Sequence, residues 1–547
     1  MTPPDGNPGA SATQADLTHR EILVVLGGLL TGLFLVAIGQ TSVATALPTI
    51  AGELGSVEMV AWIVTAYLLA VTVATPLFGR VSDLYGRDRV YQAAIVIFLV
   101  GSVLSGLAAN MPMLIVARAV QGVGGGGVIA LAMTILGDIL SPRERGRYQG
   151  YLGAVFGVAA VAGPLAGGFL VDQLDWRWVF FINIPVGIVA LVVTHRVLRL
   201  PRHRVDQTID YLGAFLLVAG VSSLLLVAAW GGVEHAWTSP LIIALAIAGT
   251  VLSVLFIVRQ RTAPGPIIPL RLFANRTFSL VAAAAFIVGA SMFGAIVFLP
   301  VFLQLVTGAS ATEAGLLLTP LMGGMIGASV VSGRLITRTG RYKVYPVTGT
   351  MLIAVALGLL ATMDVATTRV EVGLFMALLG IGLGMVMQNL VLVAQNEVPA
   401  SDLGSATATV NFTRALGGSI GTAIFGAIMA AGLASRLHGE LPPGVEVDPA
   451  ALQGSPETIL ALPPEVRGFV VEAFSGALST VFLVGVPFAL VAFVLMVLLP
   501  ERPLRQTRHV GAARRDVPTT GMEPPAAPLD GRGEEPGTPG RAPDRPR

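Results

Sequence analysis

Residues 79–89 read Gly-Arg-Val-Ser-Asp-Leu-Tyr-Gly-Arg-Asp-Arg, and residues 333–343 read Gly-Arg-Leu-Ile-Thr-Arg-Thr-Gly-Arg-Tyr-Lys. Each is a tight, basic, glycine-punctuated segment wedged between two long apolar runs. Gly79 and Gly86 align with Gly333 and Gly340, and Arg80, Arg87 and Arg89 with Arg334, Arg341 and Lys343. One short charged turn repeated at equivalent places in two halves is the mark of a duplicated membrane bundle, the build of secondary transporters. The copy differs where it matters electrostatically: Thr337 occupies the place of Asp83.

Composition agrees. Of 547 residues, 54% are hydrophobic and only 12% charged, against about 25% charged in a soluble domain, so most of the chain must face lipid or other apolar helices. The chain has no cysteine, which excludes disulfides and thiolate metal sites. The six histidines fall in tails, loops or helix ends, so no metal and no cofactor are expected. Lys343, the sole lysine, lies in Gly-Arg-Tyr-Lys-Val, which is no phosphate-cradling Walker loop. No enzyme activity is expected.

A spanning helix needs about 20 mostly apolar residues. Fourteen stretches qualify: 22–45, 59–78, 90–108, 113–136, 148–170, 178–198, 211–230, 240–258, 278–305, 314–336, 344–363, 371–394, 406–431 and 474–499. The expected organisation is a cytoplasmic tail at 1–20, a six-helix bundle at 21–200, two inserted helices at 201–262 and a second bundle at 263–500. A long extracellular loop is expected at 433–473, and a disordered cytoplasmic tail, rich in Pro, Gly and Arg, at 501–547. Arginines crowd alternate loops and leave only Arg177, Arg369, Arg436 and Arg467 in the others. The positive-inside rule then places both termini in the cytoplasm of a multi-pass cell-membrane protein. One inner loop, 396–405, breaks the pattern with Glu397 and Asp402.

Two familiar patterns are decoys. Gly122 to Gly127 satisfies the dinucleotide spacing and Gly417 to Gly421 the serine-hydrolase spacing. Both sit inside apolar helices rather than between a strand and a helix, so they read as small-residue faces that let helices approach closely.

The loop 79–89 resembles the signature G-x-x-x-D-x-x-G-R of the major facilitator superfamily, with Asp83, Gly86 and Arg87 at its key positions. Arg118-Ala-Val-Gln121-Gly122 resembles the superfamily's R-x-x-Q-G motif. Gly150-x8-Ala159-x3-Gly163-Pro164-x2-Gly167-Gly168 resembles its antiporter motif, with Ala159 for one glycine. Trp176-Arg-Trp178-Val-Phe-Phe-Ile-Asn183-Ile-Pro185-Val-Gly187, taken with fourteen spans, resembles the fourteen-helix drug:proton antiporter branch. The two tryptophans also suit an interfacial aromatic belt.

The resemblance implies an all-α major facilitator fold of two six-helix bundles plus two inserted helices, exporting amphipathic or hydrophobic compounds by proton antiport and alternating access. It implies an inner-gate latch of Gly79, Asp83, Gly86, Arg87 and Arg89 with Asp138. Proton-coupling candidates are Arg118 and Glu313. Substrate-cavity candidates are Gln40, Thr41, Gln121, Gln304, Gln388, Asn389 and Arg414. The partners are a small-molecule substrate, protons and the bilayer, without nucleic acid, and the protein is expected to be a monomer. The branch usually carries an aspartate in helix one where this chain has Gly39, which leaves two alternatives open: a dedicated exporter of one endogenous metabolite or lipid, or transport without proton coupling. A non-transporting membrane scaffold or sensor is the remote alternative.

Overall fold

The computed structural model describes residues 19–54, 59–198, 209–232, 235–309, 311–440 and 463–504. The tail 505–547, most of 1–20 and the centre of the expected outer loop, 441–462, lie outside the described residues, as does the segment 199–208. In lipid each backbone N–H and C=O must be satisfied internally, and among the described residues the regular elements are all helices. They are α1 His19–Thr41, α2 Val43–Leu54, α3 Val60–Tyr85, α4 Arg87–Gly106, α5 Met111–Ile139, α6 Pro142–Gln173, α7 Trp178–Phe181 and α8 Asn183–Val197. Then follow α9 Tyr211–Trp230, α10 Pro240–Thr262, α11 Arg276–Leu305, α12 Ala311–Leu317, α13 Thr319–Thr339, α14 Val344–Leu360, α15 Arg369–Asn396, α16 Leu403–Glu440 and α17 Pro464–Val497.

Among the described residues, twelve helices are long and apolar enough to cross a membrane, and two shorter apolar ones, 276–292 within α11 and 344–360, fill the remaining expected positions. α1–α2 and α7–α8 are each one crossing with a break. At Ser42 the chain turns, and the Ser42 hydroxyl donates to the Ile38 carbonyl at 2.7 Å. The neighbouring Thr41 hydroxyl donates to the carbonyls of Ala37 and, on α6, Ala159, each at 3.0 Å.

The first bundle packs α3 and α4 onto α5, with α1 against α6 and α8; the second joins α11, α13, α14, α15, α16 and α17. The halves meet along two seams, α3 on α16 and α13 on α6. α3 and α13 are the helices that lead into the repeated basic loops, so the seams correspond by pseudo-twofold symmetry. Both loops turn on a glycine at positive φ, Gly86 at 96° and Gly340 at 73°, a conformation that costs other residues strain.

Glycines set the spacing inside each bundle. A Cβ on Gly122 or Gly126 would run into the α3 backbone at Tyr67 and Val71, and one on Gly124 into the α4 backbone at Phe98. The dinucleotide-like run is therefore the surface on which α3 and α4 pack. Gly417 and Gly421, the hydrolase-like pair, meet α11 at Phe286 and Ala290 in the same way.

Two expectations are corrected. The 433–473 loop is shorter than its sequence suggests, because α16 continues to Glu440 and α17 begins at Pro464. Leu433 and Leu437 are buried with Val470, Ala473 and Phe474, so the helix ends stay wound on their own apolar contacts. Trp176 is not an exposed belt residue. It is fully buried, and its indole donates to Glu53 at 2.8 Å, whereas Trp178 is half-exposed.

Gly124→Val should open the α4–α5 crossing and destabilise the protein by about 1–3 kcal/mol. Gly27→Val, at a position with open space around it, should leave thermal unfolding in detergent unchanged. Equal midpoints for the two variants would contradict the packing described.

Candidate functional site

At the end of the bundle carrying the basic loops, the two halves are fastened together. Asp83 closes α3, and its Oδ2 accepts from the Ser405 backbone N–H at 3.2 Å and from the Ser405 hydroxyl at 3.1 Å, in the first turn of α16. A carboxylate suits that position because the N-terminal N–H groups of a helix carry partial positive charge. The approach depends on small residues. A Cβ on Gly79 would overlap Ala408, and one on Gly404 would overlap the Asp83 carboxylate. Arg87 donates to Asp83 Oδ1 at 3.1 Å and pairs with Asp138 at the end of α5. Arg89 is exposed.

A second fastening lies beside the first. Ser141 and Glu144 form a capping box that starts α6 and turns Arg145 inward. Arg145 donates to the Leu140 carbonyl at 3.0 Å, to the Gly137 carbonyl and, across the seam, to Gln395 Oε1 at 2.6 Å. Gln395 in turn donates to the Met133 carbonyl at 3.2 Å and the Thr407 hydroxyl at 2.8 Å. Burial pushes the Arg145 guanidinium down to about 9, so at neutral pH it remains a cation that needs these acceptors. The acidic loop 396–405 also finds its arginines: Asp402 holds Arg271 at 2.8 and 2.9 Å, and Glu397 holds Arg502 at 2.9 Å.

Ser405, Gln395 and Arg145 were missed by sequence reasoning. The small-residue run Gly404-Ser-Ala-Thr-Ala408 was the one available signal that something packs closely there. In the second half, Thr337 donates to Gly333 of its own helix at 2.9 Å.

Above these fastenings a cavity of about 630 Å³ lies between the halves. Thr72, Thr75, Met133, Ser329, Gln388 and Asn411 line the part nearer the basic loops. Gln40, Thr41, Phe298 and Gly232 line its other end. Its wall is largely methionine, phenylalanine, leucine and small residues, and Arg414 is the one charged side chain among the described lining residues. The inserted helix α9 contributes Leu225, Ala228 and Ala229, a role that its place between the two bundles in sequence did not suggest.

Four of the seven cavity candidates, Gln40, Thr41, Gln388 and Arg414, line this space. The other three do not. Gln121 is fully buried in the first bundle, where it accepts from Arg118 and donates to Ser102 at 2.6 Å. Asn389 donates to the Met385 carbonyl at 2.6 Å, and the half-buried Gln304 is not among the lining residues.

Of the coupling candidates, Arg118 also lies away from the cavity. It donates to the Ile63 carbonyl at 3.3 Å and rests 4.1 Å from the Tyr67 ring centre. Glu313 is exposed on α12.

The antiporter segment lies on α6. Gly163 and Gly167 fit against Thr41, Ser42 and Thr45 at the α1–α2 break, while Gly153 and Gly157 face Ser329 and Ile326 across the α13 seam. Pro164 sits inside the continuous helix, Gly150 lies near its start, and Gly168 has open space at its Cβ position.

Two bundles of spanning helices, joined along two seams around a midplane cavity, define a membrane transporter of the alternating-access type. The model of the Major Facilitator Superfamily matches residues 29–422, and the chain belongs to that superfamily. It is 42% identical over 481 residues to an uncharacterized MFS-type transporter of Mycobacterium tuberculosis, covering 88% of this chain and 70% of that one. It is 39% identical over 433 residues to the multidrug transporter protein MdtP of Bacillus subtilis, covering 79% and 80%. Among solved structures, the proton:xylose symporter XylE shares the fold with a TM-score of 0.58 at 12% identity, over 91% of this chain and all of that one.

Asp83→Asn should cut transport at least about tenfold, the effect of a shift of about 1.4 kcal/mol between states, with the protein still reaching the membrane. Thr337→Ala should change it less than about twofold on the same scale. Uptake or efflux by cells expressing matched amounts of each variant measures both, and equal losses would mean that the two loops act alike.

Proposed function

We propose that the chain exports amphipathic or hydrophobic small molecules from the cell by alternating access, as a monomer in the cell membrane with the basic loops and both termini in the cytoplasm. The observation that carries this reading is the cavity between the halves, shut on the basic side by Asp83–Ser405 and Arg145–Gln395. In this reading the cavity faces outward, and the two fastenings are the latch that must break for loading from inside. The apolar lining suits poorly water-soluble cargo, and relatives named as multidrug transporters point the same way.

The direct test is counterflow and efflux of fluorescent amphiphiles from proteoliposomes. Absence of saturable transport would dismiss the reading. The orientation is tested on the natural cysteine-free background. Single cysteines at the exposed Thr238 and Thr339 should differ, the first reacting with impermeant maleimide in intact cells and the second only after lysis.

A specific observation favours transport without a helix-one proton site. Among the described residues, no Asp or Glu lines the cavity. The position of Gly39 is closed as well, for a Cβ there would lie 2.9 Å from Phe98 and 3.3 Å from Asn183. If protons are nevertheless exchanged, the exposed Glu313 carries them, and Glu313→Gln should abolish pH-gradient-driven efflux while Glu472→Gln does not. Substrate-induced proton movement in reconstituted vesicles decides between the two: none in the wild type means uncoupled export.

A further inference from the structure

Within the cavity, two polar residues, Asn411 and Arg414, lie one turn apart on α16. Asn411 is 4% exposed, and neither its Oδ1 nor its Nδ2 has a hydrogen-bond partner among the described residues. Buried amides are almost always paired, and an unpaired one lining a cavity is a group whose partner arrives from elsewhere. Three residues on, one helical turn away and on the same face, is Arg414, the cavity's one charged side chain. No carboxylate lines the cavity with it, and it takes part in none of the salt bridges of the described residues. Another intramembrane arginine, Arg118, behaves differently: backbone, amide and aromatic face satisfy it within the protein. A charge held at membrane depth without a protein counter-ion is costly and marks a ligand pathway.

We propose that Asn411 and Arg414 form the head-group subsite of this cavity and that it selects amphipaths bearing an anionic oxygen head, such as carboxylates, over cationic ones. Arg414 supplies the charge and a planar donor fork suited to a carboxylate, and the Asn411 amide donates to a carbonyl oxygen. Met292, Met322, Met325, Met387 and Phe298 supply an adaptable wall for the apolar body. The export reading above gives the site its purpose, but binding can be tested separately.

The experiment titrates the protein in lipid nanodiscs with three matched probes, 1-pyrenebutyrate, its methyl ester and the corresponding pyrenylbutyl-trimethylammonium, by fluorescence anisotropy against empty nanodiscs. The carboxylate should bind at least about tenfold tighter than the ammonium, the order expected of one charge-assisted contact. Arg414→Gln should remove that preference and leave the ester within about twofold, which also reports a folded cavity. Arg414→Lys should keep the preference, and Asn411→Leu should weaken acid and ester together. Three outcomes overturn the assignment: no saturable carboxylate binding, ammonium bound as well as carboxylate, or equal effects of Arg414→Gln on acid and ester. The same probes in proteoliposomes separate the two readings. Carboxylate bound with this pattern but not moved keeps the site and sinks export. Export of ester and ammonium by a protein indifferent to the acid keeps export and sinks the site.

Discussion

The carboxylate of Asp83 belongs to the first half of the chain, and the Ser405 N–H and hydroxyl that it accepts from belong to the second. With only 4% of its side chain exposed, that charge cannot fall back on water, so its partners must be supplied by protein. They are Arg87 beside it and the first turn of α16 across the seam. Gly79 and Gly404 exist at the crossing because any larger residue would hold the charge and the helix end apart. The closed basic end follows from this contact, and the cavity's extension toward the opposite ends of the helices follows from the closed end. In the symmetric seam, α13 on α6, Gly153 faces Ser329 and Gly157 faces Ile326.

Charge is scarce enough in this protein for each instance to be interpretable. An arginine inside the hydrocarbon region must be neutralised, hydrogen-bonded or exposed to an aqueous or ligand space. Arg118 takes the second course, with Gln121, Ile63 and the Tyr67 ring around it, and Gln121 passes the network on to Ser102. Arg414 takes the third. The two arginines thus have different work, and their surroundings, rather than the motif around either, distinguish them.

The number of spans, their grouping into halves and the repeated basic turn were legible in the amino-acid sequence because apolar length, arginine placement and glycine spacing are properties of the chain itself. Gly86 and Gly340, at matched positions of the repeat, both turn the chain at positive φ. The facing of polar residues was not legible. Gln388 lines the cavity and its neighbour Asn389 bonds back to Met385, since one residue rotates the side chain by about 100° around a helix. Asn411 was overlooked beside Arg414 for the same reason. The cross-half partners were beyond reach, because 322 residues separate Asp83 from Ser405 and 250 separate Arg145 from Gln395, and nothing in either neighbourhood names the other.

The inserted pair shows how position in sequence and position in space diverge. α9 packs beside the α3–α16 seam, with Leu217, Val221 and Leu225 among Val73 of α3 and Phe412 of α16. Trp230 at its end meets Trp62 with ring centres 4.6 Å apart. α10 lies behind it and mostly faces lipid. An alternating-access cycle moves α3 relative to α16, so a helix touching both must travel with one of them. Asp210 at the start of α9 accepts from Arg259 at 3.0 Å and Gln260 at 3.1 Å, Gln260 accepts from the Ile268 backbone at 3.2 Å, and Arg271 just beyond holds Asp402 ahead of α16. Against α3 the packing is apolar, through Leu69, Val73 and Leu77, contacts without fixed direction that tolerate sliding. The packing on α16, through Phe412 and Leu416, is apolar as well, so α9 lies against both halves as a wall of the cavity.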